Sequence, residues 1–144
     1  MNTWLVAGAL MLVGLSASAQ DSPIGLWKTI HDDGKTEKSL VRITEAGGVL
    51  TGKIERIFDA EDQDSTCDKC PDERKDQPVL GMVILRYLKQ DAHDGEIWTG
   101  GEILDPDNGK TYRVRLKTLD GGRQLQVRGY LGPFYRTQVW QRVE

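Results

Sequence analysis

From Ile24 to the C-terminus, apolar and polar residues alternate in short runs, and turn-forming clusters break them roughly every 8–14 residues. Alternation of this kind sends successive side chains to opposite faces of a strand, one face toward a core and one toward water. The runs are Ile24 to His31, Lys38 to Glu45, Val49 to Ile57, Val79 to Leu88, Glu96 to Leu104, Tyr112 to Lys117, Arg123 to Tyr130 and Arg136 to Val143. Between them stand Asp32-Asp33-Gly34-Lys35, Ala46-Gly47-Gly48, Asp120-Gly121-Gly122 and Gly132-Pro133, residues that accept or preset turn geometry. Asp105-Pro106-Asp107-Asn108-Gly109-Lys110 is a further strong turn, and Gly100-Gly101 marks a bulge or sharp bend inside its strand. Val79 to Leu88 is continuously apolar, so periodicity leaves open a buried strand or a short helix at 79–88. No heptad or internal repeat occurs.

Eight short strands in about 125 residues are too few for a water-filled pore, but they suit an all-β eight-stranded antiparallel barrel. The interior of such a barrel is filled by side chains or holds one small ligand. A β-sandwich is the alternative packing of the same strands. The barrel is preferred because closure removes the exposed edges that invite aggregation. Composition agrees with a globular chain, at 38% hydrophobic and 28% charged residues. A net charge of -3 supplies no general attraction to nucleic acid or acidic lipid, so no nucleic-acid partner is expected.

The first residues carry a different pattern. Trp4 to Leu15 is almost wholly apolar, no charged side chain precedes Asp21, and Ala17-Ser18-Ala19 offers small residues at a peptidase site. A dozen or so apolar residues fall short of the roughly 20 needed to span a bilayer. Residues 1–19 therefore read as a signal peptide, although Met1-Asn2-Thr3 lacks the usual Lys or Arg. The alternative is a retained anchor helix. With cleavage near Ala19, residues 20–144 form one β-barrel domain, periplasmic or secreted, with no stable membrane anchor and in a compartment where disulfides persist.

Cys67-Asp68-Lys69-Cys70 lies in a polar insertion at 58–78. A zinc site needs four ligands, and only His31 and His93 are at hand, each in a turn-like segment. A catalytic dithiol belongs at a helix N-terminus in a thioredoxin-like βαβ unit, which is not present in the sequence. A structural Cys67–Cys70 disulfide is the favoured reading, stiffening a loop with little apolar content; a zinc site completed by a carboxylate or a His is the alternative. Asp59-Ala60-Glu61-Asp62-Gln63-Asp64 is oxygen-rich but lacks the spacing of a calcium loop. Neither a nucleophile with a neighbouring base nor a phosphate-cradling glycine loop is found, so no catalytic residue, metal or cofactor is expected.

Polar residues in the last strands invite a binding role. Arg128, Tyr130, Arg136, Gln138 and Arg142 share a phase with Trp140 rather than with Val127 and Val139. Facing inward, they would line a cavity suited to a carboxylate-bearing amphiphile; facing outward, they are the wet face, which alternation favours for Arg128. Trp98, Arg128, Tyr130 and Trp140 are the candidate ligand or loop residues.

Gly25-Leu26-Trp27 opens the first strand and Trp140-Gln141-Arg142 closes the last, a pattern similar to the lipocalin and fatty-acid-binding superfamily. That resemblance implies a structural closed-end group of Gly25, Trp27 and Arg142, with a guanidinium stacked on an indole. A resemblance to domain of unknown function family 2147, exported bacterial proteins, covers the whole mature chain, residues 20–144. It is carried by Asp32-Asp33-Gly34-Lys35, Cys67-x-x-Cys70, Trp98-x-Gly100-Gly101-x-Ile103-Leu104-Asp105-Pro106, Val127-Arg128-Gly129-Tyr130 and Arg136-Thr137-Gln138-x-Trp140-x-Arg142. It implies a small lipocalin-like barrel outside the cytoplasm, without an established activity. Two functions follow as expectations: non-catalytic binding of a small apolar or amphipathic ligand inside the barrel, or a packed, ligand-free barrel serving as an envelope protein–protein interaction module. A cavity of roughly 300 Å³ or more favours the first.

Overall fold

The computed structural model describes residues 21–144; the signal-peptide reading of residues 1–19 lies outside them. Eight strands run Gly25–Ile30 (β1), Glu37–Ala46 (β2), Val49–Ile57 (β3), Val83–Gln90 (β4), Ile97–Asp105 (β5), Lys110–Leu119 (β6), Gln124–Leu131 (β7) and Phe134–Arg142 (β8). Each pairs antiparallel with the next, and β1 pairs with β8, so the sheet closes on itself in simple up-and-down order. The barrel, not the sandwich, is therefore the packing adopted.

The run at 79–88 is resolved as strand and loop. Val83, Ile84 and Leu85 enter β4, whereas residues 79–82 belong to the preceding insertion, which thus spans 58–82. No helix forms there; helical structure among residues 22–144 is confined to single 3-10 turns at Ala60–Asp62 and Asp120–Gly122. The run reads as continuously apolar for two reasons. Met82, at the end of the loop, is buried against the core, and a bulge at Tyr87 (φ 68°) resets the alternation so that Leu85 and Leu88 are both buried. Leu85 pairs with Gly52 and Leu88 with Leu50, three residues against two. On the facing strand Gly100 takes φ 77° within a register shift, which places the bulge anticipated from Gly100-Gly101.

The core is not uniform along the barrel axis. Trp27, Ile43, Leu50, Leu88, Leu116 and Leu125 are almost wholly buried and fill one end. The β2–β3, β4–β5 and β6–β7 turns and the C-terminus lie at this end. The β1–β2, β3–β4, β5–β6 and β7–β8 connections gather at the other, including the long insertion, and there the interior is hollow.

Candidate functional site: an open-ended barrel cavity

The closed end is tied by Arg142. Its guanidinium lies 4.3 Å from the centre of the Trp27 ring and donates hydrogen bonds to the carbonyls of Gly122 (2.6 Å), Ile24 (2.9 Å) and Ser22. Trp27 Nε1 donates to the Pro23 carbonyl at 2.7 Å, so the buried indole keeps its polar edge satisfied. Burial lowers the pKa of Arg142, a cost that the surrounding carbonyls offset. Gly25 takes φ 143°, and a Cβ there would overlap the Glu144 carbonyl oxygen, so glycine lets the C-terminus cross the first strand.

At the opposite end a cavity of about 520 Å³ opens to solvent. Its apolar wall includes Ile54, Ile57, Ile84, Leu104, Val127 and Trp140. Thr29 and Ser39, both buried, contribute a hydroxyl pair 2.7 Å apart. Tyr112 and Gln138 add polar groups, and Gly129 leaves one stretch of wall bare. Leu131, Phe134 and Tyr135 stand exposed at the rim, Phe134 at 76%.

Strand geometry explains which residues face inward. Residues directly paired across two strands share a face. Leu125 pairs with Trp140, Val127 with Gln138 and Gly129 with Arg136, and the barrel interior takes this set. The outer set is Gln126 with Val139, Arg128 with Thr137 and Tyr130 with Tyr135. On β8 polar residues therefore face the cavity while Val139 is turned out, the reverse of the usual apolar-inside rule. Arg128 and Tyr130 do not line the cavity. Arg128 donates to Thr137 Oγ1 at 2.9 Å and lies 4.8 Å from the Tyr135 ring centre. Tyr130 stacks at a tilt on Tyr135, 6.0 Å away, with Arg113 at its other side. Trp98 packs in the buried core opposite Leu116, away from the cavity. Of the four candidate ligand residues, only Trp140 meets the cavity; Gln138 and Arg136 meet it as well, as the inward phase requires.

The 58–82 insertion forms one side of the mouth through Asp59, Asp62, Ser65, Thr66, Asp68 and Val79. Cys67 and Cys70 are joined (Sγ–Sγ 1.99 Å), and both are buried. The linked segment packs on the β5–β6 turn: Cys67 Sγ is 3.7 Å from the Pro106 carbonyl oxygen, and a side chain at Gly109 would overlap the Lys69 carbonyl. A charged cluster holds the other flank. Arg74, only 6% exposed, makes a two-point contact with Asp72 (3.0 and 2.6 Å) and donates to the Val83 carbonyl at 2.9 Å. Arg86 of β4 reaches Glu73 (2.7 Å), Asp72 (3.1 Å) and Glu102 of β5. The Arg74 hydrogen bond, joined by the charges of Arg74 and Arg86, holds the Asp72 carboxyl well below the usual carboxylate range. Burial disfavours the Arg86 cation, yet the carboxylates of Glu102 and Glu73 hold its pKa above the ordinary value. Among the described residues, no three His, Cys, Asp or Glu side chains gather where they could hold a metal ion.

Comparison with known proteins follows this geometry. The Helicobacter pylori protein HP1028, described as belonging to the lipocalin family, has a similar structure: TM-score 0.72, 20% identity, covering 85% of this chain and 84% of that one. At that identity the likeness speaks for the fold. No curated protein sequence matches the chain. Residues 25–142, from the glycine that opens β1 to the arginine that seals its end, match the family described as "Uncharacterized protein conserved in bacteria (DUF2147)", and the chain belongs to that family.

Proposed function

We propose that this protein binds a small apolar or amphipathic ligand, without catalysis, inside its barrel. The observation that carries the reading is the cavity: about 520 Å³, within the range of small-molecule sites, walled by aliphatic side chains and opening at a single end. A barrel built only to present loops to a partner has no need of a hollow half, because filling it with side chains would add stability. The disulfide supports placement in the periplasm or outside the cell, where thiols oxidise.

Gly129 supplies the test. It lines the cavity, an added Cβ would meet nothing closer than Tyr112 Cβ at 3.4 Å, and its backbone is ordinary strand. Gly129→Phe should therefore fill the cavity without straining the fold. An apolar fluorescent dye, titrated against the protein and followed by quenching of tryptophan emission, is expected to bind one per chain. The substitution should weaken it by at least about tenfold, with the unfolding transition still cooperative. Absence of dye binding, or binding indifferent to Gly129→Phe, would overturn the reading and favour the interaction module.

A further inference from the structure

Two polar side chains in the cavity wall have their acceptors engaged within the protein and their donors left over. Trp140 Nε1 can only donate, and it lies 3.1 Å from Gln138 Oε1, which fixes the orientation of that amide. The NH2 group of Gln138 then has no protein acceptor among the described residues. Tyr112 is set in the same way. Asn108 Oδ1 accepts from the Lys110 backbone N–H at 2.8 Å, which turns Asn108 Nδ2 toward the Tyr112 hydroxyl oxygen at 3.1 Å. The tyrosine oxygen accepts, so its proton remains to be given elsewhere. Gly129 lies beside Tyr112 on β7 and pairs with Arg136, two residues before Gln138 on the same inward face. The wall is thus a notch without a side chain, flanked by two donors.

We propose that this notch takes the carbonyl group of an uncharged amphiphile, an acyl ester or amide, whose chain runs inward along Ile54, Ile84, Leu104 and Val127. The inference rests on the ligand-binding reading above and names its ligand class. A notch flanked by donors calls for a group that accepts, and a donor covered by a ligand without a partner disfavours a plain hydrocarbon. Charge separates the ester from the free acid. Asp59, Asp62, Asp68, Asp105 and Asp107 line the mouth against His31, Lys38 and Arg136. Lys38 is already paired with Asp107 at 2.7 Å, and Arg136 with Asp32. A carboxylate head meets net negative potential there, whereas an uncharged carbonyl does not.

Displacement of the bound dye by monolauroylglycerol, laurate and dodecane, at neutral pH and low ionic strength, tests the class. The ester should compete at least about tenfold better than either of the others. Tyr112→Phe and Gln138→Glu each remove one donor, and the glutamate still offers Trp140 an acceptor, so the fold is retained. Each is expected to weaken the ester about tenfold without weakening dodecane, which no longer covers an unpaired donor there. Laurate or dodecane competing as well as the ester, or full ester affinity in either variant, overturns the inference. Dye binding that remains sensitive to Gly129→Phe in that case leaves the broader ligand-binding reading standing, so the two failures are told apart.

Discussion

Arg142 does three things with one planar group. It covers an indole face, satisfies carbonyls from Gly122, Ile24 and Ser22, and places a positive charge where burial disfavours one. A lysine has the charge but not the fork, so it can neither stack as a plane nor reach these carbonyls together. Arg142→Lys should therefore lower the unfolding free energy by about 2–3 kcal/mol, since each lost hydrogen bond leaves a buried carbonyl without its partner. The urea midpoint reads this directly, provided the slope of the transition is unchanged. Truncation of Trp27 to Ala should cost more, about 3–5 kcal/mol, because a wholly buried ring leaves a cavity behind. The sequence offered this pair through the resemblance of its two ends to the lipocalin and fatty-acid-binding superfamily; in the structure β1 and β8 are neighbours and bring the two residues together.

The insertion between β3 and β4 is held both by buried residues, Cys67, Cys70 and Met82, and by polar fastenings. Its disulfide encloses a short ring, for which chain entropy gives about 2 kcal/mol. Another fastening is the cluster in which Asp72 and Arg74 of the insertion meet Arg86 of β4 and Glu102 of β5. Cys67→Ser with Cys70→Ser should leave the barrel folded and make residues 58–82 more susceptible to limited proteolysis. The pH dependence of that susceptibility has a definite sign. Asp72 has a folded pKa depressed below its ordinary 3.8, so its contribution is complete above about pH 4. It is lost only as pH falls further, through the folded value. In the double serine variant, proteolysis by an acid-active protease should rise below about pH 4 and stay flat from there to neutrality. Element by element, the strands were legible where alternation was undisturbed, as on β6 and β7. The 79–88 run was not, because register shifts against β3 put Ile84, Leu85 and Leu88 all inside, which no local alternation announces. The inward face of β8 was hidden for a different reason. A cavity wall tolerates Gln138 and Arg136 where a packed core would refuse them, so hydrophobicity pointed to the wrong side of the strand.

At the scale of the whole molecule, the barrel is asymmetric along its axis: one end packed and carrying most of the large buried side chains, the other hollow and framed by four connections. On the proposed reading, stability and binding are separated in space, and a ligand would add to the folded state without replacing any core contact. Linkage then sets the size of its effect. A compound present at 100 times its dissociation constant should raise the unfolding free energy by about 2.7 kcal/mol. Thermal melts with and without the dye should show an upward shift on the order of 10 °C. Gly129→Phe, weakening the dye at least about tenfold, should cut the shift to about half or less while leaving the melt itself sharp.

The seam between the first and last strands has a mechanical consequence. The paired residues are Trp27 with Arg142 and Lys28 with Gln141, and further backbone bonds join Leu26 to Val143 and Glu144, all toward the packed end. Toward the mouth, Arg136 reaches Asp32 by side chains instead. A tube hydrogen-bonded along every junction has a set girth. Here the hollow half can spread along one slit at the expense of a single exposed ion pair, as a collar opens at its unfastened end. On the proposed ligand-binding reading, that slit is where guests of different cross-section would be accommodated without unzipping any strand from its neighbour.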